Sequence, residues 1–359
     1  MGDGKKETLY WVALSMVPGI GPVLFKRLLS RFEDPERVFK VSIPSLKAVE
    51  GIGDRLGTEI RSFSRWEDAE EELAKAERYG AAIVTMVDSM YPKNLLNIYD
   101  PPPYLYVKGQ INFDERSIAV VGSRFASTYG KITTEGLSRD LAKNGLTVVS
   151  GMARGIDTAA HKGAIAAGGR TVAVLGSGID VIYPPENREL YEEICRHGAV
   201  VSELPMGTEP LSENFPARNR IISGISLGVV IVEASLRSGS LITASCAAEQ
   251  GRDVFAVPGN INSNGSKGTN RLIKEGAKLV EGVGDILDEF SVVPASSCMT
   301  VDLSRDEMAV MEVLAEPVHI DEVASLSGMD VRSVSAILLN LELSGAIRQL
   351  PGMVFVKNI

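Results

Sequence analysis

The thirty residues from Phe215 to Ala244, FPARNRIISGISLGVVIVEASLRSGSLITA, set arginines, hydroxyls and glycines around one apolar run. Arg218, Asn219 and Arg220 are expected in the first turn of a helix, where unpaired N–H groups and the helix dipole already favour an anion. The run Val229 to Val232 reads as a strand buried on both faces. It ends at Glu233 and opens into Arg237, Ser238, Gly239 and Ser240, which lead with Thr243 into a second helix. Guanidinium groups, hydroxyls and two helix starts around one strand end are suited to hold phosphate.

Such a site needs a frame, and the central sequence supplies one. Apolar segments at 117–121, 146–149, 171–175, 199–204, 227–232 and 253–257 alternate with polar, helix-forming stretches such as 128–143 and 186–196. That alternation predicts an α/β fold, a Rossmann-like doubly wound, mostly parallel sheet. Short strands at 81–87 and 104–107, separated by Pro101-Pro102-Pro103, precede it.

Parallel strands end at a common edge, outside which ligands bind. The loops expected there read Gly122-Ser123-Arg124, then Ser150-Gly151-Met152-Ala153-Arg154-Gly155, then Gly176-Ser177-Gly178, then Glu233 to Ser240, then Pro258 onward to Lys267 and Thr269. Glycine admits a ligand close to backbone, and serine or threonine donates to phosphate oxygen. Six windows around this edge hold eight cations, Arg124, Arg154, Lys162, Arg218, Arg220, Arg237, Lys267 and Arg271, against the four acids Asp157, Asp180, Glu186 and Glu233. Residues 67–299 carry a net charge of −7, so this is a local reversal of sign. The competing reading takes the glycines as ordinary turns and the arginines as partners of acids. Phe125, Tyr183 and Phe215 either stack on bases or pack the pocket wall.

At 359 residues the chain is long for one core. The expected division is a helical domain at 1–66, the Rossmann-like domain at 67–290, a linker at 291–304 and a winged helix at 305–359. In the first domain Val17-Pro18-Gly19-Ile20-Gly21-Pro22 is echoed by Val49-Glu50-Gly51-Ile52-Gly53. This doubled pattern resembles helix-hairpin-helix or SAM-like modules that grip DNA backbone, although Gly-x-Gly also makes plain tight turns. Net charge is +3 over residues 1–66 and −5 over 300–359. In the winged-helix pattern, Val331 to Leu343 takes the recognition-helix position with Arg332 as its only cation. Phosphate has to be neutralised by a DNA-reading module, so a protein-contact or regulatory role is expected there.

Other classes recede. No apolar run reaches the ~18 residues of a membrane helix, and Met1 to Trp11 lacks a secretory core, so a cytoplasmic protein is expected. Cys195, Cys246 and Cys298, like His161, His197 and His319, are too scattered for a metal site, and reduced thiols are expected. There is no G-x-x-x-x-G-K-[ST], and Gly122 is not followed by a dinucleotide fingerprint, so no cofactor is expected. Asp157 is read as capping a helix or pairing with Arg154, and Glu233 as orienting Arg218, Arg220 or Arg237. No catalytic residue is assigned.

AVVGSR (119–124), SGMARGIDTAAH (150–161), GSGIDVIYPPEN (176–187), FPARNRIISG (215–224), SGSLITA (238–244) and VPGN (257–260) resemble, in order, the DNA-processing protein A family, also called Smf. That resemblance implies a non-enzymatic single-stranded-DNA-binding protein of natural transformation. Such proteins shield incoming strands, load the RecA recombinase, relieve the block imposed by single-strand-binding protein, and work as homodimers through the Rossmann-like domain. The pocket arginine of the family carries over to Arg124, and its A-R-N-R run to Arg218, Asn219 and Arg220. Pro185 stands where members often have lysine, so one phosphate contact is absent or supplied by Arg188. The alternative is a phosphoribohydrolase-like, nucleotide-binding enzyme on a related sheet, but its P-G-G-x-G-T-x-x-E run is not present.

Overall fold

Helix formation dominates the first eighty residues. Helices α1 (Asp3–Ser15), α2 (Pro22–Phe32), α3 (Pro35–Lys40), α4 (Ile43–Lys47), α5 (Asp54–Arg61) and α6 (Trp66–Tyr79) enclose a core of Trp11, Phe25, Leu28, Val38 and Ile60. The computed structural model describes residues 3–111, 116–290, 305–314, 317–343, 347–350 and 352–357, in two compact units, Met1–Val292 and Val293–Ile359. The linker expected at 291–304, and Cys298 within it, lie outside the described residues.

The two glycine hairpins have the same backbone. Gly19 and Gly51 both take φ +94°, a conformation side chains rarely adopt, and Ile20 and Ile52 close the turns onto Val17 and Val49 at 3.1 Å each. Gly21 and Gly53 then cap α2 and α5 in extended conformation. The sequence repeat is therefore a structural repeat.

Nine strands form one sheet: β1 (Ala82–Thr85), β2 (Tyr104–Gly109), β3 (Ser117–Val121), β4 (Thr147–Ser150), β5 (Thr171–Val174), β6 (Ala199–Ser202), β7 (Gly228–Ile231), β8 (Asp253–Ala256) and β9 (Lys278–Leu279). Their order is β1-β2-β6-β5-β4-β3-β7-β8-β9, with β1–β2 and β2–β6 antiparallel and the remainder parallel. Strands β3 to β7 are β-branched-rich runs buried at every position, as expected of a sheet covered on both faces. Alternation sends Ile118 and Val120 to one hydrophobic cluster and Ala119 and Val121 to the other.

Between strands run α7 (Lys93–Leu96), α8 (Thr128–Lys143), α9 (Ile156–Ala166), α10 (Arg188–His197), α11 (Asn214–Ile225), α12 (Ser240–Glu249), α13 (Lys267–Lys274) and α14 (Gly284–Leu287). Residues of α8 and α9 cover one face, where Leu137, Leu141, Ile156 and Ala160 meet Val120 and Val148. On the other, Ile221, Ile222 and Ala244 of α11 and α12 meet Val121 and Ile231. The chain winds outward from β3 through β4 and β5 to β6, then crosses by α11 to β7 on the other side of β3. The ends of β3 and β7 thus flank the point where the winding reverses. Tyr104 and Tyr106 of β2 share a hydrophobic cluster with the N-terminal helices, which joins that bundle to the sheet.

The second unit has its own core. Helices α15 (Arg305–Val313), α16 (Ile320–Ser327) and α17 (Val331–Leu343) pack with β10 (Val318–His319), β11 (Ile347–Leu350) and β12 (Val354–Lys357) around Val310, Val323, Leu338 and Phe355. The strand order is β10-β12-β11, a winged-helix arrangement.

Candidate nucleic-acid interface

Helix α11 begins at Asn214, four residues before Arg218. The expectation that Arg218 to Arg220 occupy its first turn is therefore corrected. Pro216 sits within that first turn, where it forfeits no hydrogen bond, so the proline does not delay the helix. The arginines project from the next turn, and their placement depends on helix phase instead of on free N–H groups.

A cleft of about 600 Å³ lies outside the ends of β3 and β7, at the switch point. The loop after β3 contributes Gly122, Ser123, Arg124 and Phe125, and α11 contributes Phe215, Arg218 and Asn219. The third wall is Arg237, Ser238, Gly239, Ser240 and Thr243 at the start of α12. Three guanidinium groups face one acid, Asp157, in this lining.

Phe215 is the hub. Its ring lies 4.9 Å from the Arg124 guanidinium carbon, 5.8 Å from that of Arg218 and 5.9 Å from the Tyr183 ring. Arg218 is 5% exposed. It donates to the carbonyls of Gly151, at 2.7 Å, and of Val174, so it pins α11 to the ends of β4 and β5. Burial lowers its pKa to about 10; Asp157 opposes that fall and Arg124 adds to it. Asp157 is pushed upward by burial, against the attraction of Arg218 and the N–H groups of Ala153 and Gly151. Arg124 stays exposed on the open side. Two like charges are thus brought to one ring, and the one acid of the lining, Asp157, is buried.

Other residues shape the walls. Asn219 donates to the Gly239 carbonyl at 3.4 Å, which ties α11 to the start of α12. The Ser238 and Ser240 hydroxyls are 2.8 Å apart; the N-cap of α12 is Gly239, and only the Ser238 hydroxyl accepts, at 3.4 Å, from its first N–H among the described residues, so the N-terminus adds partial positive charge to the cleft. A small adjoining pocket shares Arg124, Tyr183 and Phe215 and adds Gly151, Arg154, Gly176 and Ser177.

Several expected site residues fall elsewhere. Arg220 points away from the cleft and binds the carboxylates of Glu203 and Asp100, because two positions of a helix separated by two residues face different ways. Ser150 is buried and donates to the Val120 carbonyl across the sheet. Thr269 is buried and donates to Ser266. Gly155 packs on the backbone of Ser123 and Arg124, and Gly178 on that of Pro205 and Gly207. Lys162 and Lys267 are exposed but line neither pocket.

Both acid assignments also change. Arg154 pairs with Glu186, and Asp157 instead accepts from backbone N–H groups. Among the described residues Glu233 orients no arginine: its carboxylate accepts from the backbone N and the hydroxyl of Ser127 at 3.0 Å each, at the start of α8. Sequence reasoning missed Ser212 and Ser235, which also line the cleft. Their positions just before Phe215 and just after Glu233 were the available signal.

A switch-point cleft on a doubly wound sheet, lined by guanidinium groups, hydroxyl-bearing residues and glycine-rich turns, defines a Rossmann-like α/β protein with a cationic cleft. Comparison with known proteins narrows the class. The family described as DNA recombination-mediator protein A matches residues 82–291, a DprA winged-helix domain matches 299–353, and a SAM-like helix-hairpin-helix tandem matches 12–64. The chain belongs to the DNA recombination-mediator protein A family. It is 34% identical to protein Smf of Synechocystis sp., over 97% of this chain and 98% of that protein, and 41% identical to protein Smf of Escherichia coli, over 84% of each. The X-ray structure of DNA processing protein A from Streptococcus pneumoniae superposes with a TM-score of 0.68 at 38% identity, covering 78% of this chain and 96% of that one. DNA processing protein A from Helicobacter pylori, solved for its single-stranded DNA binding mode, gives a TM-score of 0.52 at 31% identity, covering 58% and 95%.

Proposed function

We propose that the switch-point cleft holds the phosphates of single-stranded DNA, and that the protein shields incoming strands and delivers them to the RecA recombinase during transformation. The observation that carries this reading is the meeting of Arg124 and Arg218 on the Phe215 ring. Their mutual repulsion is relieved by an anion on the open side; among the described residues Arg124 makes no salt bridge, and the buried Asp157 attracts it only at longer range. Hydroxyls of Ser123, Ser212, Ser235 and Ser238 supply neutral donors, and Phe215, Tyr183 and the 91%-exposed Phe125 supply surfaces for bases. Recognition of backbone and stacking, with little reading of base edges, suits a protein that accepts any sequence.

The resemblance to DNA-processing protein A supports the finer statements: a homodimer through the sheet unit, relief of the block by single-strand-binding protein, a cytoplasmic setting and no catalytic chemistry. The acids support a binder as well, since Glu233 and Asp157 are occupied with backbone groups. Titration of a short oligo-dT by fluorescence anisotropy at two salt concentrations tests the cleft. Micromolar or tighter affinity that falls with salt is expected, and affinity indifferent to salt in the native chain rejects it. Incubation with nucleoside monophosphates separates binder from hydrolase: release of free base, lost in Glu233→Gln, would make the protein an enzyme.

A further inference from the structure

A second groove, of about 580 Å³, opens where α2 and the Val49-Glu50-Gly51 hairpin face Asn97, Ile98 and Tyr99. Its lining holds three cations, Lys26, Arg27 and Arg31, against one acid, Glu50. Two of the cations brace the walls. Lys26 Nζ donates to the Ile98 carbonyl at 3.3 Å, and Arg27 donates to the Glu50 carbonyl at 3.0 Å and lies 3.4 Å from its carboxylate. Gly51 brings the hairpin against α2 so closely that a Cβ there would sit 2.7 Å from Leu24.

The other two features point outward. Arg31 is exposed and has no carboxylate partner among the described residues; its guanidinium carbon lies 5.9 Å from the adjacent Phe32 ring. Tyr99 is 77% exposed, an unusual state for so large an aromatic side chain. The acid beside it, Asp100, is engaged by Arg220 at 3.2 Å and does not oppose the groove's charge.

Helix α11 links this groove to the candidate cleft. Arg220 reaches the Asp100 backbone carbonyl at 2.9 Å on one side, while Arg218 and Phe215 line the cleft on the other. We propose that the groove is a second contact for the same single strand, with Arg31 on a phosphate and Tyr99 stacked on a base, engaged by DNA that leaves the cleft past α11. A cation without an acid partner beside an exposed aromatic is the pattern by which proteins hold single strands without reading sequence. The inference rests on the cleft being the primary site.

Oligonucleotide length separates the two ideas. Arg31→Glu and Tyr99→Ala, both at exposed positions of the full chain, are measured by anisotropy against a short oligo-dT of about six nucleotides, near the low end of single-module site sizes, and a long one of about thirty, well beyond their upper end. Each substitution is expected to weaken the long oligonucleotide about tenfold, to leave the short one unchanged, and in Arg31→Glu to reduce the salt slope by about one. Arg124→Ala is expected to weaken both lengths. Long-oligonucleotide affinity equal to that of the native chain in both groove variants overturns the second contact, whatever Arg124→Ala does. Equal loss at both lengths also overturns it, since the effect would then act through the fold. If Arg124→Ala changes neither length, the primary cleft fails instead.

Discussion

The Arg218 guanidinium lies against the α-carbon of Gly151 and donates to that residue's own carbonyl at 2.7 Å. A Cβ at position 151 would fall 2.3 Å from Nη1. The glycine admits arginine, not ligand, and the arginine in turn joins the ends of β4 and β5 to α11. Gly151→Ala is therefore expected to displace the side chain and to cost about 1–3 kcal/mol in urea unfolding. Arg218→Ala removes the donor from two carbonyls and the counter-charge from Asp157, and about 3 kcal/mol is expected. Loss of DNA binding in that variant would follow loss of the cleft wall.

Arg124 separates binding from stability. It is exposed and makes no hydrogen bond that anchors the fold among the described residues. Arg124→Ala is expected to leave the unfolding midpoint within about 0.5 kcal/mol of the native value and to lower the single-strand salt slope by about 0.7, as one phosphate contact is lost. Parallel unfolding curves and salt titrations check both halves.

His161 sets an acid limit. The ring is buried, its Nδ1 lies 2.6 Å from the Thr171 hydroxyl, and burial lowers its pKa to about 3 from the ordinary 6.5. Below pH 6.5 the unfolded chain takes up a proton that the folded protein refuses. Stability is thus fully present above that value and falls as pH drops toward 3, by about 1.4 kcal/mol per unit from this one group. His161→Gln should remove that portion of the pH dependence. Unfolding free energies at pH 7 and pH 5 in both proteins measure it.

The winged helix is a separable unit with its own core, and its charged residues are mostly acidic. Deleting residues 300–359 is expected to leave short oligo-dT affinity within about twofold of the native chain, because it removes few groups able to neutralise phosphate. A tenfold loss, read in the same anisotropy titration, would assign it a DNA contact.

Local patterns told much of this from sequence. Strands β3 to β7 followed from β-branched runs whose positions are all buried, and the paired hairpins from two Gly-Ile-Gly repeats that fold alike. The helix at 128–143 was legible to the residue because Ser127 caps it and Asn144 ends its apolar periodicity. These features depend on neighbours a few residues apart, and the chain itself states them.

Which strand ends adjoin is another matter. Nothing within the sequences of β3 and β7 says that they lie side by side; the crossover through α11 does, and it puts Arg124 and Arg218 on one ring. Arginines 218 and 220 look alike in sequence, yet helix phase sends one to the cleft and the other to Glu203 and Asp100. Residue type determined which cations, hydroxyls and glycines stand at the strand ends to be offered to phosphate in the proposed role. Long-range packing, which sets direction and desolvation for each side chain, decided which cations remain available for it.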